Sequence, residues 1–125
     1  MAFASDIHAG PLTDQRLIAR ALEAIAEFAP HVLLLGGDYA SLDHANVGPF
    51  ATLLARLTPA LGSYGVFGNH DLWLDDEYLA AALNQAGVRV LVNESIRLPP
   101  PYEEISICGV DDPGTGSPDA LRSLQ

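Results

Sequence analysis

The sequence predicts an α/β fold with a largely parallel sheet and flanking helices, on two observations. Short apolar runs typical of strands alternate along the chain with segments whose apolar residues recur at helical spacing. The run Val32-Leu33-Leu34-Leu35 is apolar without interruption, as a parallel strand covered on both faces requires. Because parallel neighbours need a crossover connection, this regular alternation of strand and helix favours βαβ units.

The first half of the chain contains three predicted strands and two predicted helices. Ala2-Phe3-Ala4 is the first strand, and Thr13 is placed to cap a helix over about residues 14–28, which Pro30 ends. Residues 32–35 form the second strand. A second helix carries Phe50 and Leu54 and stops before Pro59, and residues 64–67 form the third strand.

The second half continues the same alternation. The acidic run Asp75-Asp76-Glu77 favours the start of a third helix, whose end is marked by Gly87. Residues 88–92 and 105–110 are the fourth and fifth predicted strands, and Asp111-Asp112-Pro113-Gly114 predicts a turn. Ser117-Pro118 has the composition of a helix cap and first helical position.

Composition limits the partners of this chain. The 125 residues fit one domain, and a hydrophobic content of 49% supplies a sizeable core. Sixteen acidic residues face six basic ones, all arginine, for a net charge of −10. This balance argues against nucleic acid or an anionic membrane surface as the main partner, because phosphate groups bind clustered Lys and Arg. The single cysteine, Cys108, excludes an internal disulfide and a thiolate zinc site, and we expect it to be buried.

Location is indicated only indirectly by the sequence. No signal peptide precedes the first polar motif, and no apolar run approaches the roughly 20 residues of a membrane-spanning helix. We therefore expect a cytoplasmic protein, or one peripheral at the inner membrane. Any membrane association would come from flanking segments outside these residues.

Polar peptides follow each of the first three predicted strands. They are Ser5-Asp6-Ile7-His8, Gly36-Gly37-Asp38 and Gly68-Asn69-His70-Asp71. Successive motifs are separated by roughly thirty residues, about the length of one βαβ unit. Because ligands bind at the carboxyl ends of the strands in such sheets, we expect the three motifs to converge at one sheet edge.

The side chains in these motifs are metal ligands by type. Carboxylates, imidazoles and an amide suit hard or borderline divalent cations. Asp6 and His8 lie two residues apart on a segment predicted to be extended, so both side chains should leave on the same side. The glycines before Asp38 let the backbone turn sharply close to a ligand, and Asp71 could orient the His70 imidazole. Each motif taken alone is also compatible with an ordinary turn.

Taken together, D-x-H, G-D and G-N-H-[D/E] in this order resemble the calcineurin-like metallophosphoesterases. The resemblance covers the whole chain as the front half of that α/β sandwich. It implies that Asp6 and His8 bind a first metal, that Asp38 bridges both metals, and that Asn69 binds the second. It also implies that His70 is a catalytic residue that stabilises or protonates the leaving oxygen without binding metal. The implied catalytic role of Asp71 is to hold His70.

The resemblance further implies cofactors and a substrate class. The cofactors would be two divalent ions, Mn²⁺, Zn²⁺ or Fe²⁺, and the reaction hydrolysis of a phosphomonoester or phosphodiester. The stretch through Asn93-Glu94 to Gly109-Val110-Asp111-Asp112-Pro113 is most similar to bacterial envelope-associated phosphodiesterases, a branch that includes enzymes acting on UDP-diacylglucosamine-like lipids. The implied partner is therefore a phosphate-ester small molecule or a lipid head group.

The chain departs from the family pattern after the third motif. Family members continue with a lone histidine and a Gly-His-x-His motif, whereas this chain contains no histidine after His70. We therefore expect residues 1–125 to be a single incomplete domain with an open half-site. The alternative is a non-catalytic protein that binds a single cation or phosphate ligand through the same residues.

Five further positions are assigned more ordinary roles. We expect His31 to lie on the surface, and His44 to belong to a solvated loop at the mouth of the site, with substrate contact as its alternative. Trp73 is expected to pack or to form a wall of the site, with a specific acyl-chain contact as the alternative. Asp111 and Asp112 are expected to form a turn, with an outer-shell role near the metals as the alternative.

Overall fold

Four short parallel strands form the central sheet in a computed structural model that describes all residues 1–125. Their order is β1-β2-β3-β4, and two further strands, β5 and β6, form a separate antiparallel pair. The α/β class and the parallel sheet are therefore confirmed. The elements in chain order are β1 (Ala2–Ala4), α1 (Gln15–Phe28), β2 (Leu33–Leu35), α2 (Val47–Leu54), β3 (Ser63–Gly65), α3 (Asn69–Leu72), α4 (Asp76–Gln85), β4 (Val88–Val90), β5 (Glu94–Arg97), β6 (Ser106–Gly109) and α5 (Ala120–Ser123).

The main core lies between one face of the parallel sheet and helices α1, α2 and α4. Leu33 and Leu35 of β2 and Val88 of β4 are buried there. The helices contribute apolar side chains to the same cluster: Ile18, Leu22, Phe50, Leu54, Leu79 and Leu83. Their spacing of four residues within each helix is what the sequence pattern predicts for one buried helix face.

The opposite face of the sheet is less completely covered. Phe3 is 68% exposed, and Leu34 and Tyr64 are only partly buried. These side chains line a groove of about 170 Å³ together with Leu91 and with Ile107 of β6. The prediction that residues 32–35 are covered on both faces is therefore wrong for Leu34, because the helices pack on the other face.

Helix α1 begins one residue later than predicted, because a different residue caps it. The Asp14 carboxylate accepts a hydrogen bond of 2.9 Å from the backbone N–H of Arg16, as a helix cap does. The Thr13 hydroxyl instead donates a hydrogen bond of 2.6 Å to the carbonyl oxygen of His8. Thr13 therefore secures the first polar loop rather than the helix.

Three features of the chain differ from the sequence prediction. The third strand covers Ser63–Gly65 rather than residues 64–67, and the strand Glu94–Arg97 was not predicted. Cys108 is exposed, so its expected burial is wrong, because β6 belongs to a two-stranded sheet with an open face. These differences concern elements whose burial depends on neighbours that local sequence does not reveal.

The carboxyl-terminal segment contains the predicted turn and a short helix. Asp112 accepts hydrogen bonds from the backbone of Gly114 and Thr115, which confirms the turn. Helix α5 begins at Ala120 with Asp119 as its cap, not at the predicted Ser117-Pro118. No helix in the structure combines the length and apolar character needed to cross a membrane.

Candidate metal centre

The first two polar loops run side by side beyond the ends of β1 and β2. The backbone N–H of Asp6 donates to Gly37 O at 3.0 Å, and that of His8 donates to Asp38 O at 2.9 Å. Ala9 and Ala40 then form an isolated parallel bridge. The carboxyl edge of the sheet thus extends as a pair of hydrogen-bonded loops, and these loops carry three of the predicted ligands.

The backbone conformation of these three predicted ligands differs from the extended conformation that the sequence suggested. The φ angles of Asp6, His8 and Asp38 are 58°, 49° and 55°. This left-handed region is uncommon for residues other than glycine, although Asp and His adopt it more often than most. The side chains of Asp6 and His8 therefore approach each other through a turned backbone, and the strand alternation predicted for them is wrong.

Donor atoms of three motifs meet at this edge. His8 Nε2 lies 3.7 Å from Asp6 Oδ1 and 3.6 Å from Asp38 Oδ2. One donor atom each from His8, Asp38 and His70 lie within 4.8 Å of one another. Ligand atoms that share a cation at bond lengths near 2 Å are up to about 4 Å apart. Small side-chain rotations would therefore bring these atoms onto one ion, and a nitrogen–oxygen set fits borderline divalent cations.

Two glycines let the second and third loops approach closely. Gly37 has a φ of 93°, and a Cβ added there would overlap the backbone of Gly68. A Cβ added at Gly68 would overlap the Asp38 carboxylate. Glycine at these two motif positions is thus explained by the contact between the loops, in addition to the turn that the sequence indicates.

Asp71 is fully buried and bonded to the backbone. Its Oδ2 accepts hydrogen bonds from Asp38 N at 2.7 Å and Gly68 N at 2.9 Å, and its Oδ1 accepts one from Tyr39 N at 2.9 Å and a longer one from Ala40 N at 3.4 Å. Burial raises the pKa of Asp71, and the backbone N–H groups lower it in part. No hydrogen bond joins Asp71 to the His70 ring, so the predicted contact between them is not formed.

His70 lies at the start of the short helix α3, next to Asn69, its first residue. The backbone N–H of His70 donates a hydrogen bond of 3.0 Å to Asp38 Oδ1. The His70 ring packs edge-on against His8, with ring centroids 4.7 Å apart, and its centroid is 4.8 Å from that of Trp73. Trp73 is mostly exposed, so it forms a wall beside His70 rather than part of the core.

The other histidines differ in their surroundings. His31 is exposed, as predicted. His44 is not simply solvated, because its Nε2 accepts a hydrogen bond of 3.1 Å from Asp75 N and its ring packs against Tyr78. His44 thus links the loop after Asp38 to the start of α4.

Tyr39 is a site-supporting residue that sequence reasoning did not single out. Its hydroxyl donates to the Val66 carbonyl at 2.9 Å and lies 3.3 Å from the Leu35 carbonyl, so it connects the ends of β2 and β3. Burial, and secondarily the charge of Asp71, raises the pKa of Tyr39. The only sequence signal for this role of Tyr39 was the presence of a large aromatic residue directly after Gly-Gly-Asp.

Comparison with known proteins identifies the family of this chain. A family profile described as calcineurin-like phosphoesterase matches residues 1–109. An uncharacterized metallophosphoesterase of Aquifex aeolicus is 31% identical over 109 residues, which are 87% of this chain and 41% of that protein. The phosphodiesterase YaeI of Escherichia coli is 30% identical over 114 residues, 88% of this chain and 42% of that protein.

A third relative, from Danio rerio, is described as a transmembrane protein with a metallophosphoesterase domain. It is 31% identical over 112 residues, which are 86% of this chain and 26% of that protein. The chain therefore spans about two fifths or less of the length of these relatives. No solved structure gives a significant match. With a profile that covers most of its length and two bacterial relatives at this identity, the chain belongs to the calcineurin-like phosphoesterase family.

Proposed function

We propose that this chain carries part of the centre of a metal-dependent phosphoesterase. The observation that carries the proposal is the convergence of His8, Asp38 and His70 at the carboxyl edge of the sheet. Imidazole and carboxylate donors on three separate loops meet there because the parallel fold brings the loops together. Membership of the phosphoesterase family supports hydrolysis of phosphate esters as the reaction.

Each candidate side chain has a role in this proposal. Asp6, His8, Asp38 and Asn69 would hold divalent cations, and Asp38 would be shared between two of them. Bound cations of this kind lower the pKa of water and stabilise negative charge on a phosphate ester. The His70 imidazole would stabilise or protonate the leaving oxygen of the ester. Trp73 limits the site on the side of His70.

The proposed function includes a class of substrate and a location. We propose a phosphomonoester or phosphodiester of a small molecule or a lipid head group, and the Escherichia coli relative is named a phosphodiesterase. Two cations, Mn²⁺, Zn²⁺ or Fe²⁺, would serve the reaction. We further propose a location in the cytoplasm, which the net charge of −10 favours because it offers no basic patch for anionic lipid. The alternative location is the inner face of a membrane.

A second candidate function rests on the small number of ligands. The chain has four histidines and none after His70. Of the four, His31 is exposed and His44 is engaged by Asp75, which leaves His8 and His70 for a metal. A centre with so few ligands also suits a protein that binds one cation or one phosphate group without catalysis.

One experiment tests the proposed function and separates the two candidates. Mn²⁺ is titrated into the 125-residue chain by calorimetry, and hydrolysis of p-nitrophenyl phosphate and bis-p-nitrophenyl phosphate is followed with Mn²⁺ present. The Asp38→Ala variant is compared with Asp76→Ala, which removes an exposed carboxylate on α4. Mn²⁺ binding and hydrolysis that are both lost only in Asp38→Ala support the phosphoesterase.

The other outcomes are equally informative. Mn²⁺ binding that depends on Asp38, without hydrolysis of either ester, would show a cation centre and would count against catalysis by residues 1–125 themselves. Equal Mn²⁺ binding by wild type, Asp38→Ala and Asp76→Ala would show that the cation binds elsewhere. That result would overturn both candidate functions.

A further inference from the structure

We infer that Asp71 is a positioning residue that fixes the Asp38 loop against the His70 loop. This inference rests on the proposed function in one respect, namely that Asp38 and His70 serve the same centre. It assigns Asp71 a different role from the one that the motif suggested, since the carboxylate acts on backbone amides and not on the His70 ring.

A single carboxylate oxygen joins the two loops. Oδ2 of Asp71 accepts hydrogen bonds both from Asp38 N, in the loop after β2, and from Gly68 N, in the loop after β3. Hydrogen bonds to a charged acceptor are about twice as strong as those between neutral groups. The shared oxygen therefore sets the distance between the two loops directly, with no intervening side chain.

The link is reciprocal, and it orients the Asp38 carboxylate. While Asp71 accepts from the backbone of Asp38, Asp38 Oδ1 accepts from the backbone of His70 at 3.0 Å. This contact occupies Oδ1 and leaves Oδ2 turned towards His8, 3.6 Å from its Nε2. The face that Asp38 presents to a cation therefore depends on where α3 begins, and Asp71 fixes that point through Gly68.

Asp71 also stabilises the unusual backbone of the second loop. Asp38 has a φ of 55°, and the N–H groups of Asp38, Tyr39 and Ala40 all point to the Asp71 carboxylate. Consecutive amides that converge in this way form a concave binding site for an anion. A left-handed aspartate persists when its surroundings hold it in place, and here the carboxylate of Asp71 does so.

The negative charge of Asp71 is stabilised only by hydrogen bonds from the backbone amides of the two loops. The carboxylate is 0% exposed and takes part in no ion pair. Asn at this position would keep the size of the side chain but would turn an NH₂ group towards amide donors. Glu would keep the charge. The pair Asp71→Asn and Asp71→Glu therefore separates the effect of charge from that of side-chain volume.

The test combines Mn²⁺ titration with amide hydrogen exchange in the metal-free protein. In wild type we expect the amides of Gly68 and Asp38 to exchange at least about tenfold more slowly than the amide of Glu103, which is exposed and donates no hydrogen bond. Asp71→Asn should speed exchange at Gly68 and Asp38 at least about tenfold and weaken Mn²⁺ binding by about 10–100-fold. Asp71→Glu should restore most of the Mn²⁺ affinity, and the matched surface variant Asp76→Asn should change neither quantity.

Two results would overturn the inference. A folded Asp71→Asn protein with wild-type Mn²⁺ affinity would show that Asp71 does not position Asp38 for metal binding. Fast exchange of the Gly68 and Asp38 amides in wild type would show that Asp71 does not join the two loops, and this result does not depend on whether Asp71→Asn folds. Failure of wild type to bind Mn²⁺ would instead count against the proposed function, because slow exchange at Gly68 and Asp38 would still show the link between the loops.

Discussion

The backbone N–H of His70 donates a hydrogen bond of 3.0 Å to Asp38 Oδ1, so the third polar motif binds the second directly. Because this contact uses the main chain of His70, it persists when the imidazole is removed. The structure therefore allows the role of the His70 ring to be tested without loss of the contact that orients Asp38.

His70→Ala and Asp38→Ala should differ in their metal content. We expect His70→Ala to retain bound metal, since its backbone still orients Asp38, and to lower kcat by roughly 10²–10⁴-fold wherever turnover is measurable. Asp38→Ala removes the carboxylate that faces His8 and should deplete the metal. Metal analysis of both purified proteins checks this. If His70→Ala lost as much metal as Asp38→Ala, His70 would be a metal ligand. The geometry also permits that role, because a ring nitrogen of His70 lies within 4.8 Å of donor atoms of His8 and Asp38.

Gly68→Ala should destabilise the protein through overlap with the second loop. The added Cβ would collide with the Asp38 carboxylate and backbone nitrogen, and such overpacking typically costs about 1–3 kcal/mol. Gly48→Ala is the matched control, because a Cβ in α2 at Gly48 meets no atom within 4 Å. Ala is the better helix former, so this variant should be neutral or stabilised by up to about 1 kcal/mol. Urea denaturation of both proteins measures the difference, and equal stabilities would contradict the close contact.

The meeting of the three motifs could be predicted because it follows from topology. Parallel strands joined by helices place their carboxyl ends at one edge, so His8, Asp38 and His70 had to approach one another once the class was right. Periodicity alone was enough for that class, since apolar spacing distinguishes buried helix faces from strands.

The detailed geometry of the centre could not be predicted, because it depends on long-range contacts. The left-handed backbones of Asp6 and His8 are held by hydrogen bonds to Gly37 and Asp38, about thirty residues away along the chain. Three of the four backbone partners of Asp71 likewise lie on another loop, whereas the motif suggested its neighbour His70. Local sequence favours a local partner, and tertiary structure supplied a distant one.

Asp14→Ala should test the observed helix cap. The Asp14 carboxylate bonds the N–H of Arg16, and loss of such a cap costs about 0.5–2 kcal/mol. We expect Asp14→Ala to lower the free energy of unfolding within that range and to leave Mn²⁺ affinity unchanged. Thr13→Val should instead free the carbonyl of His8 and weaken Mn²⁺ binding. Chemical denaturation and calorimetric titration of both variants check the assignment, and a reversed pattern would restore Thr13 as the cap.

Tyr39 should make the stability of the protein depend on alkaline pH. Its side chain is buried, and burial raises its pKa above the ordinary value of 10.0, with the nearby charge of Asp71 adding to the effect. In the unfolded chain Tyr39 loses its proton near pH 10, while in the folded protein it keeps it. The unfolded state then binds fewer protons, so the free energy of unfolding falls as pH rises.

The expected slope is about 1.4 kcal/mol per pH unit for this one proton, and it begins near pH 10. Below that pH the contribution of Tyr39 is constant. Tyr39→Phe removes the ionisable group, so its stability should fall less steeply above pH 10 than that of wild type. At neutral pH the variant should be less stable by about 1–3 kcal/mol, because the Val66 carbonyl loses its donor. Urea denaturation of both proteins across pH 8–11 measures the two slopes. Parallel slopes would mean that the Tyr39 hydroxyl ionises in the folded protein and is not held between β2 and β3.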